Sequence, residues 1–464
     1  MDAVLTELER VAAVERAVPE EGLFAEKDWL ISPTALPLTG KFVKELEALG
    51  YRLLLFVRAC NLLYQQSVRG KQPAWIADYL DRGKPEALRE LARAREFRDD
   101  LPLVLRPDLV LTENGYTVAE LDNVPGGIGL TAWLNQTYAA LGEDVIGGAA
   151  GMVDGFRSIL PGGADILVSE EAATYRPEMQ WLARQASDGY VVRDASDRSL
   201  ESPLGSLGSL GSLGSLGSLG SLGSLGSFET RPSPRNVYRF FELFDLPNIP
   251  CAPELMKRAL DGSVRVTPPF KPYLEEKMWF ALFWLRPLRE YWRRELTERH
   301  FLKLQEVIPY TWLLDPAPLP QHAVIPLLEI HEWEELKHFS QKQRELILKI
   351  SGFSETAWGS RGVELGTDLP QGAWAEAIRR ALEEFGTHPH ILQKFHKGRL
   401  LDHPYRDRDG QMKTMQGRVR LCPYYFMFDG KTHLRGTLAT ICPADKKLLH
   451  GMKDAILAPG RVEG

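Results

Sequence analysis

The sequence has few cysteines, no basic excess and no long apolar run, and each shortage excludes a class of protein. Four cysteines are scattered through 464 residues, with no Cys-x-x-Cys pair and no histidine at metal-ligand spacing. This usage is typical of a reduced cytoplasmic protein and argues against a zinc site. A net charge of −6 and a pI near 6.0 lack the basic excess of a general nucleic-acid binder.

The apolar stretches are too short to cross a membrane. The longest, MWFALFWL at residues 278–285, falls well short of the roughly 20 residues that a transmembrane helix needs. The acidic, amphipathic start of the chain has no apolar run behind a basic segment, so it does not predict a signal peptide. We therefore expect a cytoplasmic protein without a nucleic acid or a membrane as partner.

The chain alternates between helical and strand patterns. Apolar residues at three- and four-residue spacing predict helices from 41 and from 84, and two strands around Asn114-Gly115 follow them. From 165 the order strand, helix, strand predicts a βαβ unit with parallel pairing. Beyond 250, antiparallel strand pairs, one of them around Asp429-Gly430, mix with helices, and the run after Pro268-Pro269 predicts a single helix. The sequence therefore predicts an α+β fold with an α/β portion.

Eight consecutive Leu-Gly-Ser triplets occupy residues 204–227. A period of three puts the leucines on neither one helix face nor one strand face, and the glycines cost backbone entropy in both. The tract is interpreted as a flexible loop that interrupts one domain; the alternative is a binding or assembly repeat.

The segment RPDLVLTENGYTVAELDNVPGG, at 106–127, carries the most informative polar residues. Glu120 and Asp122 are two apart on one strand, so they face the same side. Asp108 lies roughly opposite Glu120 if the two strands form a hairpin, and Arg106 shares that face. Hard oxygen ligands of this kind suit Mg²⁺. The alternative is an exposed hairpin dotted with charge.

Two later lysines could meet an anion. Lys349 ends an apolar strand, and a loop rich in Gly and Ser follows it up to Gly362. Glycines let backbone N–H groups approach a phosphate, which predicts a phosphate-binding flap; a plain β-hairpin with a solvated lysine is the alternative. Lys277 falls in an otherwise apolar run, so it either reaches solvent along its stem or meets an anion. The histidines have no Ser or Cys partner in a recognisable elbow, so nucleophilic catalysis has little support.

Set in order, these segments resemble a circularly permuted ATP-grasp protein of the glutathionylspermidine-synthase-like kind, at motif level, from about 100 to 460. That family has an R-x-D strand and, twelve positions after the Asp, an E-x-N strand that leads to a Pro-containing turn. This chain matches at Arg106, Asp108 and Glu120, and has Asp122 in the Asn position. The acids precede the lysines here, whereas ordinary ATP-grasp chains place them after, which implies the permutation.

The resemblance implies a fold, cofactors and residue roles. It implies an ATP-grasp fold with a Rossmann-like pre-ATP-grasp domain, divided as 1–160 with the metal-binding hairpin, 161–250, and 251–464 with the nucleotide lysines. Mg²⁺ would be held by Asp108, Glu120 and Asp122. ATP would be bound by Lys277, Lys349, Ser351, Gly352, Gly359, Ser360, Gly362 and Gln393. The catalytic arginines would be Arg106, Arg361 and Arg435.

The implied activity is ATP- and Mg-dependent ligation of a carboxylate to an amine through an acyl phosphate, on an amino-acid, peptide or polyamine-type substrate. Two alternatives stay open. One is a non-catalytic ATP-binding or scaffold protein that keeps the fold, and the other is a kinase-like phosphotransferase.

Overall fold

The computed structural model describes residues 5–19, 28–196, 235–357, 361–449 and 453–463. The Leu-Gly-Ser tract and the loop positions Gly359 and Ser360 lie outside the described residues. Within these ranges the helices are α1 Glu7–Ala17, α2 Gly40–Val68, α3 Ala74–Leu80, α4 Glu86–Arg93, α5 Ile128–Ala140, α6 Gly151–Ile159, α7 Arg176–Ala186, α8 Ala252–Leu260, α9 Met278–Trp284, α10 Arg289–Leu296, α11 Glu298–Val307 and α12 Gln371–Glu383. The strands are β1 Leu36–Leu38, β2 Val104–Thr112, β3 Gly115–Asp122, β4 Ala164–Val168, β5 Tyr190–Asp194, β6 Arg235–Phe240, β7 Val264–Thr267, β8 Thr311–Leu313, β9 Leu346–Ile350, β10 Val363–Leu365, β11 His390–Lys394, β12 Leu400–Arg406, β13 Met412–Phe428, β14 Lys431–Pro443 and β15 Ile456–Val462. The predicted mixture of α and β elements is confirmed.

The described strands form three sheets. The largest has the order β1-β15-β14-β13-β2-β3, and β12 pairs with β13 beside this path. A second sheet, β10-β9-β11-β8, is antiparallel, with β9 at its centre carrying Lys349. The third, β5-β4-β6-β7, is parallel throughout. The site described below lies between the first two sheets.

The strand–helix–strand order predicted from 165 is present. β4 and β5 pair in parallel, with α7 between them in the chain, and α8 connects β6 to β7. All five residues of β4 are buried. A short, continuously buried strand is typical of a parallel sheet that is covered on both faces.

The two hairpins expected from turn residues are also present. β2 and β3 pair from Thr112 opposite Gly115, so the turn itself is formed by residues 113–114, one position earlier than the Asn-Gly pair suggests. β13 and β14 meet at Asp429 and Gly430, whose φ angles are 51° and 70°. Positive φ at both central residues is the geometry of a tight hairpin turn, which Asp-Gly supports.

The single helix expected after the prolines at 268–269 is divided into α9 and α10. Leu285 has an extended conformation, with φ −65° and ψ 123°, and a short 3₁₀ turn follows at Arg286–Leu288. Pro287 explains the break, because proline has no N–H to donate to the carbonyl four residues earlier and its ring clashes with that carbonyl. α9 is therefore a short helix, and Lys277 is its N-terminal cap residue.

A shared apolar core fixes α9 against the large sheet. The 29-residue α2 lies beside this sheet, where a Cβ at Gly50 would come within 2.6 Å of the Tyr425 ring. Phe56 of α2 stacks on Trp292 of α10 with ring centres 5.6 Å apart. Six of the seven residues of α9 are buried in the same cluster. Among the described helices, none combines the length and the apolar character needed to span a bilayer.

Candidate active site

The β2–β3 hairpin gathers the predicted acids. Asp108 pairs with Glu120 and Arg106 with Asp122 across the two strands, which is the register expected from the sequence. A bulge between Asp108 and Leu109 follows this pair. Bulges increase the local twist of a strand and redirect side chains, and they are frequent beside active sites.

Arg106 lies between two of these carboxylates. Its Nε is 3.0 Å from Asp108 Oδ1, its Nη2 is 2.9 Å from Asp122 Oδ2, and its Nη1 donates to the Gly126 carbonyl at 3.0 Å. Burial alone would lower the pKa of Arg106, but the two carboxylates raise it well above its usual value. The predicted catalytic arginine is thus held as the centre of a buried ion-pair network.

Lys277 approaches the hairpin from α9. Its Nζ is 2.9 Å from Glu120 Oε1 and donates to the Ala357 carbonyl at 3.0 Å. Burial tends to lower the pKa of this ammonium, and Glu120 outweighs that effect and raises it. Of the two outcomes weighed for this lysine, the structure shows contact with an anion, the carboxylate of Glu120.

Lys349 approaches from the second sheet and has neutral partners. Its Nζ donates to the Ala119 carbonyl and to Gln393 Oε1, each at 2.9 Å, and the residue is 5% exposed. Burial lowers its pKa to about 8; Glu120 counteracts this and nearby Lys277 adds to it. Gln393 in turn donates to Thr311 Oγ1 at 3.3 Å. Lys349 is therefore a buried cation whose hydrogen bonds go to uncharged oxygens.

Two adjoining cavities meet at Glu120. The first, which we call the cleft, encloses about 790 Å³ including its open mouth, and its polar wall contains Asp108, Glu120, Lys349, Gln393 and Arg420. Its apolar wall contains Pro309, Ile347, Val363 and Phe395. The second, which we call the acidic cavity, encloses about 510 Å³ and contains Glu120, Asp122, Asn123, Glu242, Glu275 and Lys277.

A buried chain of polar contacts connects α9 with β9. Lys84 Nζ is 2.5 Å from Glu276 Oε1, and the other oxygen of Glu276 accepts from Ser351 Oγ. Ser351 Oγ also accepts from the Met278 backbone N–H at 2.9 Å, and the Ser351 backbone carbonyl accepts from the Lys277 backbone N–H at 2.8 Å. Ser351, which was predicted to bind nucleotide, is fully buried within this series of polar contacts. It fixes the backbone of α9, which Lys277 caps, and of β9, which carries Lys349.

The two described glycines of the predicted loop are closely packed. A Cβ at Gly352 would come within 2.9 Å of the Glu276 carboxyl carbon, and one at Gly362 within 2.6 Å of the Thr356 carbonyl oxygen. Gly352 also lines the acidic cavity. Both positions require the absence of a side chain for close backbone packing.

Two predicted arginines are not brought to the hairpin acids. Arg361 forms an ion pair with Glu171, which follows β4. Arg435 of β14 packs along α6, and its guanidinium carbon is 5.5 Å from the centre of the Phe428 ring. Neither side chain lines the cleft or the acidic cavity.

Arg420, which the sequence reasoning missed, lies at the acids instead. It comes from β13, its Nη1 is 3.4 Å from Asp108 Oδ2, and it lines the cleft. With Arg106 it lowers the pKa of Asp108, against the opposing effect of burial. Its only sequence signal is a charged residue inside the apolar run RVRLCPYYF.

The predicted magnesium site is not formed by these carboxylates as they stand. Asp108 and Asp122 are turned to Arg106, and Glu120 to Lys277, so cationic side chains occupy the space beside each carboxylate. In the part of the chain that the structure describes, no group of three or more His, Cys, Asp or Glu side chains could hold a metal ion. We therefore derive no chemical step from a metal.

Comparison with solved structures identifies a glutathione synthetase-like fold. The chain superposes on a glutathione synthetase-like effector from Globodera pallida, in its apo form, with a TM-score of 0.52 and 10% sequence identity over 98% of this chain and 97% of that one. A putative gamma-glutamylcysteine synthetase from Methylobacillus flagellatus matches at 11% identity over 86% and 85% of the two chains, with a TM-score of 0.35. No protein-family model matches the sequence, and no curated protein matches it. At such identity the first match shows a shared fold alone.

Proposed function

We propose that the chain is an ATP-dependent ligase that joins a carboxylate to an amine, with the nucleotide bound in the cleft. The observation that carries the proposal is the convergence of Lys277, Lys349 and Arg420, from three separate elements, on the acidic hairpin beside the cleft. The fold shared with a glutathione synthetase-like protein supports the same class of chemistry.

Lys349 is the best candidate for a phosphate-binding cation. An ammonium paired with a carboxylate must break that pair to bind an anion, whereas Lys349 need only exchange neutral acceptors. A phosphate would supply the negative charge that its buried environment lacks. Lys277 is close by, and its pairing with Glu120 would weaken as a phosphate approached.

The apolar wall of the cleft suits a purine ring. Val363 of β10 and Ile347 of β9 lie on neighbouring strands of the second sheet. Gln393 lies on β11, the strand on the other side of β9, two positions after Ile391. A mostly apolar pocket with a few polar groups is the usual environment of a nucleotide base. The base would lie against this wall and the phosphates would extend towards the lysines.

The proposed reaction needs charge neutralisation more than a protein nucleophile. A carboxylate oxygen of the substrate attacks the γ-phosphorus, the bond to the β-phosphate oxygen breaks, and ADP leaves. The amine nitrogen then attacks the acyl phosphate carbon, inorganic phosphate leaves, and the amine loses a proton. Fixed cations around the phosphates stabilise the charge that develops in the first step. Magnesium, which the resemblance pairs with ATP, stays a prediction.

A non-catalytic ATP-binding protein is the second candidate, and one observation favours it. Arg106 ties Asp108 to Asp122, so acids that could assist turnover are neutralised inside the protein. Such a chain would bind nucleotide in the cleft and release neither ADP nor phosphate.

The test has two parts. First, the thermal unfolding temperature is measured with and without ATP for the wild type, for Lys349→Ala and for the exposed control Lys303→Ala. We expect ATP to raise it in the wild type and the control and not in Lys349→Ala. Unchanged protection of Lys349→Ala would remove this lysine from the site.

Second, ADP and phosphate are assayed after incubation with ATP, Mg²⁺ and pooled amino acids, polyamines and short peptides. Substrate-dependent release of both products supports a ligase. Release of ADP with a stable phosphorylated product supports a kinase. Protection by ATP without any release supports the non-catalytic candidate.

A further inference from the structure

The acidic cavity has more carboxyl groups than cationic partners for them. Three of its carboxylates have a cation partner: Glu120 has Lys277 at 2.9 Å, Asp122 has Arg106 at 2.9 Å and Glu275 has Arg239 at 2.5 Å. Glu242 forms no ion pair with any described residue and is hydrogen-bonded to the carboxyl of Glu275 instead. Two carboxyls can share a hydrogen bond only if one of them holds a proton, so a proton takes the place of a fourth cation.

The surroundings of Glu242 favour its protonated form. Burial, followed by the nearby carboxylates of Glu275 and Asp122, raises the pKa of Glu242 well above its usual value. Arg239 counteracts this rise, and Lys277 also faces the group, but each is paired with another carboxylate. A cation entering the cavity would displace this proton and become the counter-ion of Glu242.

Asn123 supplies an independent second observation. The residue is 4% exposed, lines the acidic cavity, and donates from Nδ2 to the Leu274 carbonyl at 2.6 Å. Its Oδ1 is buried and has no hydrogen-bond partner among the residues described. Buried acceptors of this kind are nearly always satisfied, so an unsatisfied one beside a cavity indicates a missing donor.

An alkylammonium group matches both deficiencies. It carries one positive charge and three N–H donors, which can serve a carboxylate and an amide oxygen together. Phe244 and Phe353 line the same cavity and offer apolar surface to the carbon chain behind the nitrogen. A hydrated metal ion would gain nothing from these two rings.

We propose that the acidic cavity binds the ammonium group of the amine that the enzyme ligates, with Glu242 and Asn123 as its acceptors. The proposal rests on the proposed function, because Glu120 lines both the acidic cavity and the cleft and so places the amine beside the site of the acyl phosphate. Binding of the ammonium displaces the proton of the Glu242 carboxyl to solvent. The ammonium then passes one of its own protons to the Glu242 carboxylate, and the neutral nitrogen attacks the acyl phosphate carbon.

The experiment is calorimetric titration of the full chain, without nucleotide, with n-butylammonium chloride. The neutral 1-butanol, the anionic butyrate and MgCl₂ are titrated alongside. We expect n-butylammonium alone to bind, with a proton release that grows as the pH is lowered and that appears as a difference in heat between two buffers. Binding of 1-butanol as strong as that of n-butylammonium, or binding of MgCl₂ in its place, would overturn the proposal.

Variants locate the site. Glu242→Gln should weaken n-butylammonium binding at least about tenfold and abolish the proton release, and Asn123→Ala should weaken it severalfold. The matched control Glu290→Gln removes an exposed acid outside the cavity and should bind as the wild type does. Equal binding by Glu242→Gln would refute the assignment.

ATP protection against thermal unfolding separates this proposal from the function on which it rests. Protection of Glu242→Gln by ATP shows that the variant is folded and that the cleft is intact. A wild-type protein that is protected by ATP but does not bind n-butylammonium would overturn the amine site alone. A wild-type protein that binds n-butylammonium but is not protected by ATP would overturn the nucleotide site alone.

Discussion

The lowered pKa of Lys349 predicts how nucleotide binding depends on pH. Its ammonium is buried and donates only to the Ala119 carbonyl and Gln393 Oε1, and its pKa is about 8. Above pH 8 most of the ligand-free protein therefore has a neutral amine at this position. A phosphate binds the charged form, so binding must then take up a proton. The nucleotide affinity should fall as the pH rises.

The size of the effect follows from that pKa. If the charged form alone binds phosphate, the apparent dissociation constant grows with the neutral fraction, which is about a tenth at pH 7 and about nine tenths at pH 9. The affinity should thus weaken about tenfold between pH 7 and pH 9, equivalent to about 1.4 kcal/mol. Lys277 adds no dependence in this range, because Glu120 raises its pKa.

The assay is titration of a non-hydrolysable ATP analogue at pH 7, 8 and 9 with the wild type, Lys349→Met and Lys271→Met. Lys271→Met is a matched control, because Lys271 is also buried and also has a pKa of about 8. Its ammonium donates to Asn61 and to two backbone carbonyls, and these partners lie away from the cleft. We expect Lys271→Met to keep the wild-type profile and Lys349→Met to bind weakly at every pH. A flat wild-type profile, or the wild-type profile in Lys349→Met, would refute the reasoning.

Two further predictions concern the frame around the site. Lys84→Met leaves the buried Glu276 carboxylate without its cation, so it should lower the free energy of unfolding by about 3–5 kcal/mol in urea titrations. Removal of the exposed Lys303 side chain should change the free energy of unfolding little. Gly127→Ala should cost about 1–3 kcal/mol in the same assay, because Gly127 has φ 87° and its Cβ would collide with the Tyr424 hydroxyl. Wild-type stability of either variant would contradict the packing described here.

The sequence predicted the hairpin acids well because the information is local. A strand fixes which residues share a face, and a short turn fixes which residues lie opposite each other. Asp108 and Glu120 could therefore be paired across the turn before any coordinates were known. The strand–loop–strand pattern around Lys349 and the Asp429–Gly430 hairpin are local in the same sense, and both are present.

The choice between Arg420 and Arg435 could not be made from the sequence. Both lie on the β13–β14 hairpin, but only β13 pairs with β2, and that pairing joins segments more than 300 positions apart. Arg420 lies opposite Val110 and reaches Asp108, whereas Arg435 is the extra residue of β14 at the register shift opposite Tyr424 and Tyr425, and it faces α6. The long-range strand order and a bulge determine which arginine lies beside the acids. Neither feature produces a periodic pattern in the sequence from which it could be predicted.

The sequence pattern also could not predict which cationic side chains pair with the hairpin carboxylates. These pairings change the interpretation of the site. Glu120 separates a cavity lined by a buried cation without a carboxylate partner, Lys349, from a cavity lined by a carboxyl group without a cation partner, Glu242. A buried charge without a partner is costly, which is why the pKa of Lys349 is lowered and that of Glu242 is raised. A reaction that brings an anionic phosphate to one side and a cationic amine to the other would give both groups a partner of opposite charge. This is why we favour ligation over phosphate transfer to water or to a neutral acceptor.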